Sequence, residues 1–382
     1  MKHAGQSKAL LKAFLVLCAA VSFWYPRESL SQGPLHGSSQ GTEVKPVQQS
    51  AQFLGDNACA KCHADKTISH ENTGMSKALY TGAASTILQR HEKLKFSSGA
   101  YHYSIARRGD RSLYSVSDGA ATIEAPILWA FGHGELGQTY VFQLAGKLYE
   151  SRVSFYSAIE NLDITLGAPR TAPVSLLAAA GREMQGADIS DCFGCHATNV
   201  TSGAGPQFDK LIPGVRCERC HGPGEKHVAA MQAGNLKEKS ITNLRTLSTE
   251  EQLTFCGACH RTWEQVMLLP GRGGIDNVRF QPYRLTNSSC YDTEDRRISC
   301  TACHNPHEEV RREPAFYDAK CTACHSMASS LVQANKRNAP VCPTGKQQCV
   351  TCHMPKVEIP GAHFKFTDHY IRVVKPNSPH PI

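Results

Sequence analysis

After residue 25 the sequence has no apolar run approaching twenty residues and no basic run, and only 19% of its 382 residues are charged. The first lack argues against a membrane span in the body of the chain. The second removes the usual footprint of a nucleic-acid binder, and no binding motif replaces it. An apolar content of 41% excludes a disordered tail protein. What is abundant is cysteine, with 17 residues. A chain long enough for two or three domains needs no disulfide framework to compensate for a small core, so the cysteines require another explanation.

Fourteen of them form seven copies of CxxCH. They are Cys59, Cys62 and His63; Cys192, Cys195 and His196; Cys217, Cys220 and His221; Cys256, Cys259 and His260; Cys300, Cys303 and His304; Cys321, Cys324 and His325; and Cys349, Cys352 and His353. Residue frequencies alone predict roughly 0.04 copies. A zinc knuckle, redox dithiol or iron–sulfur ligand set could explain one CxxC, but none requires a histidine directly after each pair. The spacing is that of covalently attached c-type haem: two cysteines bond the vinyl groups and the histidine binds the iron. Seven haems c are expected, with iron held by the seven motif histidines. Their propionates would outweigh the chain's formal charge of +8 and leave the loaded protein acidic, which also speaks against nucleic acid as a partner.

Lys2, Lys8 and Lys12 followed by the apolar stretch Ala13 to Tyr25 mark residues 1–28 as a signal peptide or N-terminal anchor. The chain is therefore expected in the periplasm or otherwise exported, as haem attachment requires, with membrane anchoring an alternative. Residues 29–52 are rich in Ser, Gly, Gln and Pro and read as a flexible linker. A first haem segment follows at 53–95. Residues 96–170 alternate apolar and polar positions and read as a β-rich insert, with Ala145-Gly146 as a hairpin turn. Residues 171–382 form a six-haem domain with a C-terminal tail. A helix is predicted over 171–190, and Ser248 with Glu251 has the spacing of a capping box. Six haems between residues 192 and 353 leave little polypeptide for a core. The fold expected is mainly α with little regular structure, organised around stacked haems, plus a small β-rich insert.

Whether each haem carries electrons or catalyses depends on what lies opposite its motif histidine. Outside the motifs and leader the histidines are His36, His70, His91, His102, His133, His227, His307, His363, His369 and His380. His36 falls in the linker and His380 in the tail, so both are poor candidates. In CHGPGEKH the Gly-Pro-Gly turn throws His227 away from its own haem. In CTACHNPH, His307 is three residues beyond a motif histidine, so if it serves a haem it must be another one. Haems sharing so short a loop must pack closely.

CHGPGEKH, CTACHNPH, CVTCHMPK and HFKFTDHYIRV make the chain resemble the multihaem c-type cytochromes related to the tetrahaem electron acceptor of hydroxylamine oxidoreductase. The resemblance runs from about Asp56 to Val374 and includes FGHGELGQTYVFQLAGKLYESRVSFYS and FQPYRLTNSSC. It implies a periplasmic electron-transfer protein and adds His102, His227, His307, His363 and His369 as ligands opposite the motif histidines. Many relatives carry a histidine where this chain has Met75, so the first haem takes Met75 or His70, or stays open. His133 falls near another ligand position of that group.

Beyond Cys18 in the leader, Cys290 and Cys342 are left over, either as a disulfide or as two structural thiols. The function expected is single-electron transfer between redox partner proteins: a membrane quinol-linked donor, or a soluble reductase or oxidase. The alternative is a reductase of a nitrogen or sulfur oxyanion with one open-coordinate haem. Multihaem ammonia-forming nitrite reductases use a lysine at the active haem, whereas all seven motifs here end in histidine, so no catalytic residue is assigned.

Overall fold

A computed structural model describes residues 52–375 apart from 203–204, 239, 270–273, 326–341 and 344. The segment 1–28, with its readings as signal or anchor, and the linker up to residue 51 lie outside the described residues, as do His36 and His380. Among the described residues no helix is long and apolar enough to cross a membrane.

Nine antiparallel strands make one sheet: β1 (Leu79–Thr81), β2 (Lys93–Ser98), β3 (Tyr101–Arg108), β4 (Arg111–Ser117), β5 (Thr122–Phe131), β6 (Gly137–Leu144), β7 (Lys147–Tyr156), β8 (Asn161–Ile164) and β9 (Gly181–Glu183). Strands β2 to β8 neighbour one another in chain order, with β1 added to β5 and β9 to β7. The end strands β2 and β8 come back against each other, so the sheet is a nearly closed barrel. Alternation explains its interior: Tyr103 and Ile105 of β3 face inward opposite Val116 and Tyr114 of β4, and Tyr140, Phe142, Val153 and Phe155 complete the core. Each such side chain contributes roughly 1.5–3 kcal/mol on burial. The β6–β7 turn has Ala145 at φ 47° and Gly146 at φ 81°, the two positive values that a two-residue hairpin of matching twist requires. A bulge between Ile127 and Trp129 separates the part of β5 that pairs with β4 from the part that pairs with β1.

This overturns the expectation of a mainly α chain with a small β-rich insert. The sheet extends from Leu79 to Glu183 and has its own core, because short strands before and after the alternating stretch join it by pairing with distant partners. The helix predicted over 171–190 is likewise interrupted. Only Leu176–Ala180 is helical before β9 begins. Gly181 lies so close to the Glu150 carbonyl that no side chain fits, and that close pairing takes the segment out of the helix.

The motif region is different. Thr249–His260 begins with the expected capping box: Ser248 Oγ accepts from Glu251 N at 3.2 Å and Glu251 accepts from Ser248 N at 2.7 Å. Other motif helices are short, such as Cys217–His221, Cys300–Cys303 and Cys349–His353. Pro314–His325, although twelve residues long, buries none of its side chains. The apolar clusters here are small, one around Phe193 and Leu211 and one around Val278 and Ile359.

Candidate functional site

All seven motifs lie on helices, with the histidine at or next to the helix end in six: Gly186–His196, Cys217–His221, Thr249–His260, Pro314–His325 and Cys349–His353, and Cys300–Cys303 with His304 just beyond. The first, Asp56–Glu71, kinks at His63, where φ is −119° and ψ is 43°. Helical spacing puts residues i, i+3 and i+4 on one face, so both cysteines and the histidine address the same space.

Three motif imidazoles are oriented by backbone carbonyls. Nδ1 of His196 lies 2.9 Å from Ala78 O, that of His221 lies 2.8 Å from Thr242 O, and that of His353 lies 2.9 Å from Arg372 O. A proton on Nδ1 leaves Nε2 as the metal-binding nitrogen. Burial lowers the pKa of His196, His260 and His304, which keeps the neutral form that binds metal. His63 and His325 are exposed.

Two proposed ligands stand opposite motif histidines. His307 faces His221 with ring centres 5.9 Å apart and planes within 6°. His369 faces His304 at 6.2 Å. Two imidazoles sharing one metal ion have centres about 6 Å apart, from two bonds of ~2 Å plus two ring radii. Nδ1 of His369 is 3.1 Å from Thr367 O, leaving Nε2 free, and burial pushes the pKa of His369 down to about 4. His227 sits in the helix Glu225–Gln232 with a buried Nδ1 that has no hydrogen-bond partner.

The remaining candidates are placed otherwise. His102 is exposed on β3 and contacts Ser97 Oγ at 2.9 Å. His363 has φ 53°, with Nε2 2.7 Å from the Asp163 carboxylate on β8 and its ring 4.9 Å from Tyr156. His133, in the β5–β6 turn, packs against Gly74, where a Cβ would lie 3.0 Å from its Nε2. Met75, half-buried next to it, accepts from Val215 N through its carbonyl at 2.9 Å, tying the loop to the third motif. His70, weighed in the sequence only as a substitute for Met75, is buried, its Nδ1 has no partner, and its ring lies 6.5 Å from that of His307. Either ring nitrogen of a neutral imidazole can hold a metal, and at His70 and His227 the nitrogen without a hydrogen-bond partner is Nδ1. Together with the thiol pairs they make a donor set that fits haem c.

Contacts between motifs carry information that spacing does not. The side chain of Cys59 touches Cys217, Cys195 touches Cys259, Cys256 touches Cys300, and Cys321 touches Cys349. Cys220 lies near Cys259, and Cys303 near Cys321 and Cys290. Glu218, a variable residue inside the third motif, fastens that motif to the first. Its buried carboxylate accepts from the backbone N–H groups of Leu54, Gly55 and Gly224 at 2.7–3.0 Å.

A second clamp places His369. Asp368 is fully buried and pairs with Arg284 through two contacts of 2.8 and 2.9 Å and with Arg372 at 2.7 Å. Tyr370 N also donates to it at 3.0 Å, and both guanidinium groups lie over the Tyr370 ring. Asp368 links the segment carrying His369 to Arg372, whose carbonyl orients His353. One carboxylate therefore steadies both His369 and His353.

Residues 173–222 match the family model described as cytochrome c554 and c-prime. That stretch holds the second and third motifs with His196 and His221, so the part of the chain that resembles this cytochrome model contains two of the seven CxxCH pentapeptides. Among curated proteins no match is found. Among solved structures, the crystal structure of the outer cell wall cytochrome OcwA is similar over 84% of this chain and 80% of that chain, with 16% identity and a TM-score of 0.47.

Proposed function

We propose that the chain is an exported electron carrier with seven covalently bound haems, working between a membrane quinol-linked donor or soluble reductase and a terminal acceptor. When bound, haem c supplies reversible one-electron exchange at iron. The chain's own part is to hold the sites close and to keep their imidazoles neutral and oriented. The observation that carries the reading is the continuity of contacts between motifs. The first meets the third, the third approaches the fourth, the fourth meets the fifth, the fifth approaches the sixth, and the sixth meets the seventh, while the second joins at the fourth. Spatial order thus differs from chain order, and the fourth motif is a junction. His307 opposite His221 and His369 opposite His304 support six-coordinate, carrier-type haems at the third and fifth motifs.

The electronic spectrum of the purified protein tests this. Low-spin haems that ignore cyanide and carbon monoxide are expected. A high-spin haem that binds either ligand would favour the oxyanion-reductase alternative.

A further inference from the structure

Three motif helices, Cys217–His221, Cys300–Cys303 and Cys349–His353, begin without a side-chain cap from their own N-terminal residue. In each case the missing cap comes from another motif helix. Asp56 Oδ1 accepts from Cys217 N at 3.2 Å. Gln252 Oε1 accepts from Thr301 N at 3.4 Å and from Thr301 Oγ1 at 2.7 Å. Asp318 accepts from Cys349 N at 2.9 Å and from Gln348 N at 2.7 Å, and Gln348 has φ 54°, a left-handed conformation that accompanies this two-point capture.

The capping residues share a sequence position. Asp56 is three residues before Cys59, Asp318 three before Cys321, and Gln252 four before Cys256. Residues three or four apart lie on one helix face, so a side chain that reaches the partner's first turn brings its own helix's first cysteine to the same place. The three pairs joined in this way, Cys59 with Cys217, Cys256 with Cys300 and Cys321 with Cys349, are the three in which first cysteines touch. The fourth thiol contact joins second cysteines, Cys195 and Cys259. There the helices are held instead by Asp191 with Arg261 at 3.3 Å.

We infer that Asp56, Gln252 and Asp318 are positioning residues of one coupling module used three times, each fixing the mutual orientation of two haems. This rests on the multihaem reading above and adds what sets the geometry within the array. The modules differ in charge: the first–third and sixth–seventh couples have a carboxylate at the cap, whereas the fourth–fifth couple at the junction has a neutral amide. A fixed negative charge beside a haem favours the oxidised iron. The junction couple is therefore relieved of a charge that the outer couples bear, and it holds electrons more readily than an acidic cap would allow.

Two variants test orientation and charge separately, with Soret circular dichroism reading the mutual orientation of neighbouring porphyrins and potentiometry reading midpoints. Asp318→Ala is expected to change the Soret couplet at full haem content. Gln252→Glu keeps an accepting oxygen for Thr301 and gives up only the donation of Gln252 Nε2 to Leu247 O at 3.2 Å, so it is expected to leave the couplet unchanged and to lower the midpoint of one haem couple. An unchanged couplet in Asp318→Ala overturns the positioning role, and an unmoved midpoint in Gln252→Glu overturns the charge role. If Asp318→Ala fails to keep its haems, Gln252→Ala decides the orientation question in its place by the same couplet. Fewer than seven haems on the unmodified chain would instead count against the multihaem reading itself.

Discussion

The sheet and the motif region solve the same problem in opposite ways. The sheet buries its own side chains: Tyr103, Tyr140, Phe142 and Phe155 are at most 2% exposed. The helix Pro314–His325 and the short motif helices at Cys300 and Cys349 have no fully buried residue, although they carry three of the CxxCH motifs. With haem at the motifs as proposed, bound porphyrins would supply the apolar interior that these helices lack, and order in that region would be conditional on haem. The two regions meet at His196, whose Nδ1 contacts Ala78 O just before β1 and whose ring lies 5.2 Å from Phe131 of β5. The autonomous part of the molecule thus steadies one member of the dependent part.

The largest effect should come from withholding haem. A chain produced without haem attachment is expected to keep the far-ultraviolet signature of the sheet, while limited proteolysis cuts within residues 192–353; equal resistance of both regions would contradict the contrast. Asp368→Asn should come next. Breaking the buried Asp368–Arg284 pair, which Arg372 also joins, costs about 3–5 kcal/mol, and here it should loosen His369 and turn one low-spin haem high-spin in the electron paramagnetic resonance spectrum. A similar loss, about 3–5 kcal/mol, is expected for Phe142→Ala in the sheet core, but with haem spectra unchanged. Denaturation followed separately by far-ultraviolet and Soret signals would distinguish the two. At the small end, Ala145→Gly at the left-handed turn position should stabilise the sheet by about 0.5–1 kcal/mol and leave haem properties untouched.

The same contrast explains what could be read from the residues. Chemistry encoded locally was legible: the CxxCH pentapeptides, the Ser248–Glu251 box and the Ala145-Gly146 turn each need only neighbours in sequence. The extent of the sheet was not, because β1 and β9 are three-residue strands that exist only through pairing with Phe131, Ala130 and Trp129, and with Tyr149, Glu150 and Ser151. Gly181 looked like a tolerated glycine in a helix because the Glu150 carbonyl that demands it lies about thirty residues away. Among ligand candidates, His307 and His369 stand opposite motif imidazoles, whereas His102 and His363 are engaged by Ser97 and Asp163. Glu218, Asp56 and Asp318 carried no signal as isolated acids. A carboxylate three residues before a CxxCH motif, repeated in one chain, is the pattern that could have revealed the last two.

The intact mass of the mature, exported chain tests the central claim most directly. The account predicts a polypeptide mass increased by seven haems, with no free thiol at the fourteen motif cysteines. A chain carrying zinc, unmodified motif thiols or fewer haems would contradict it.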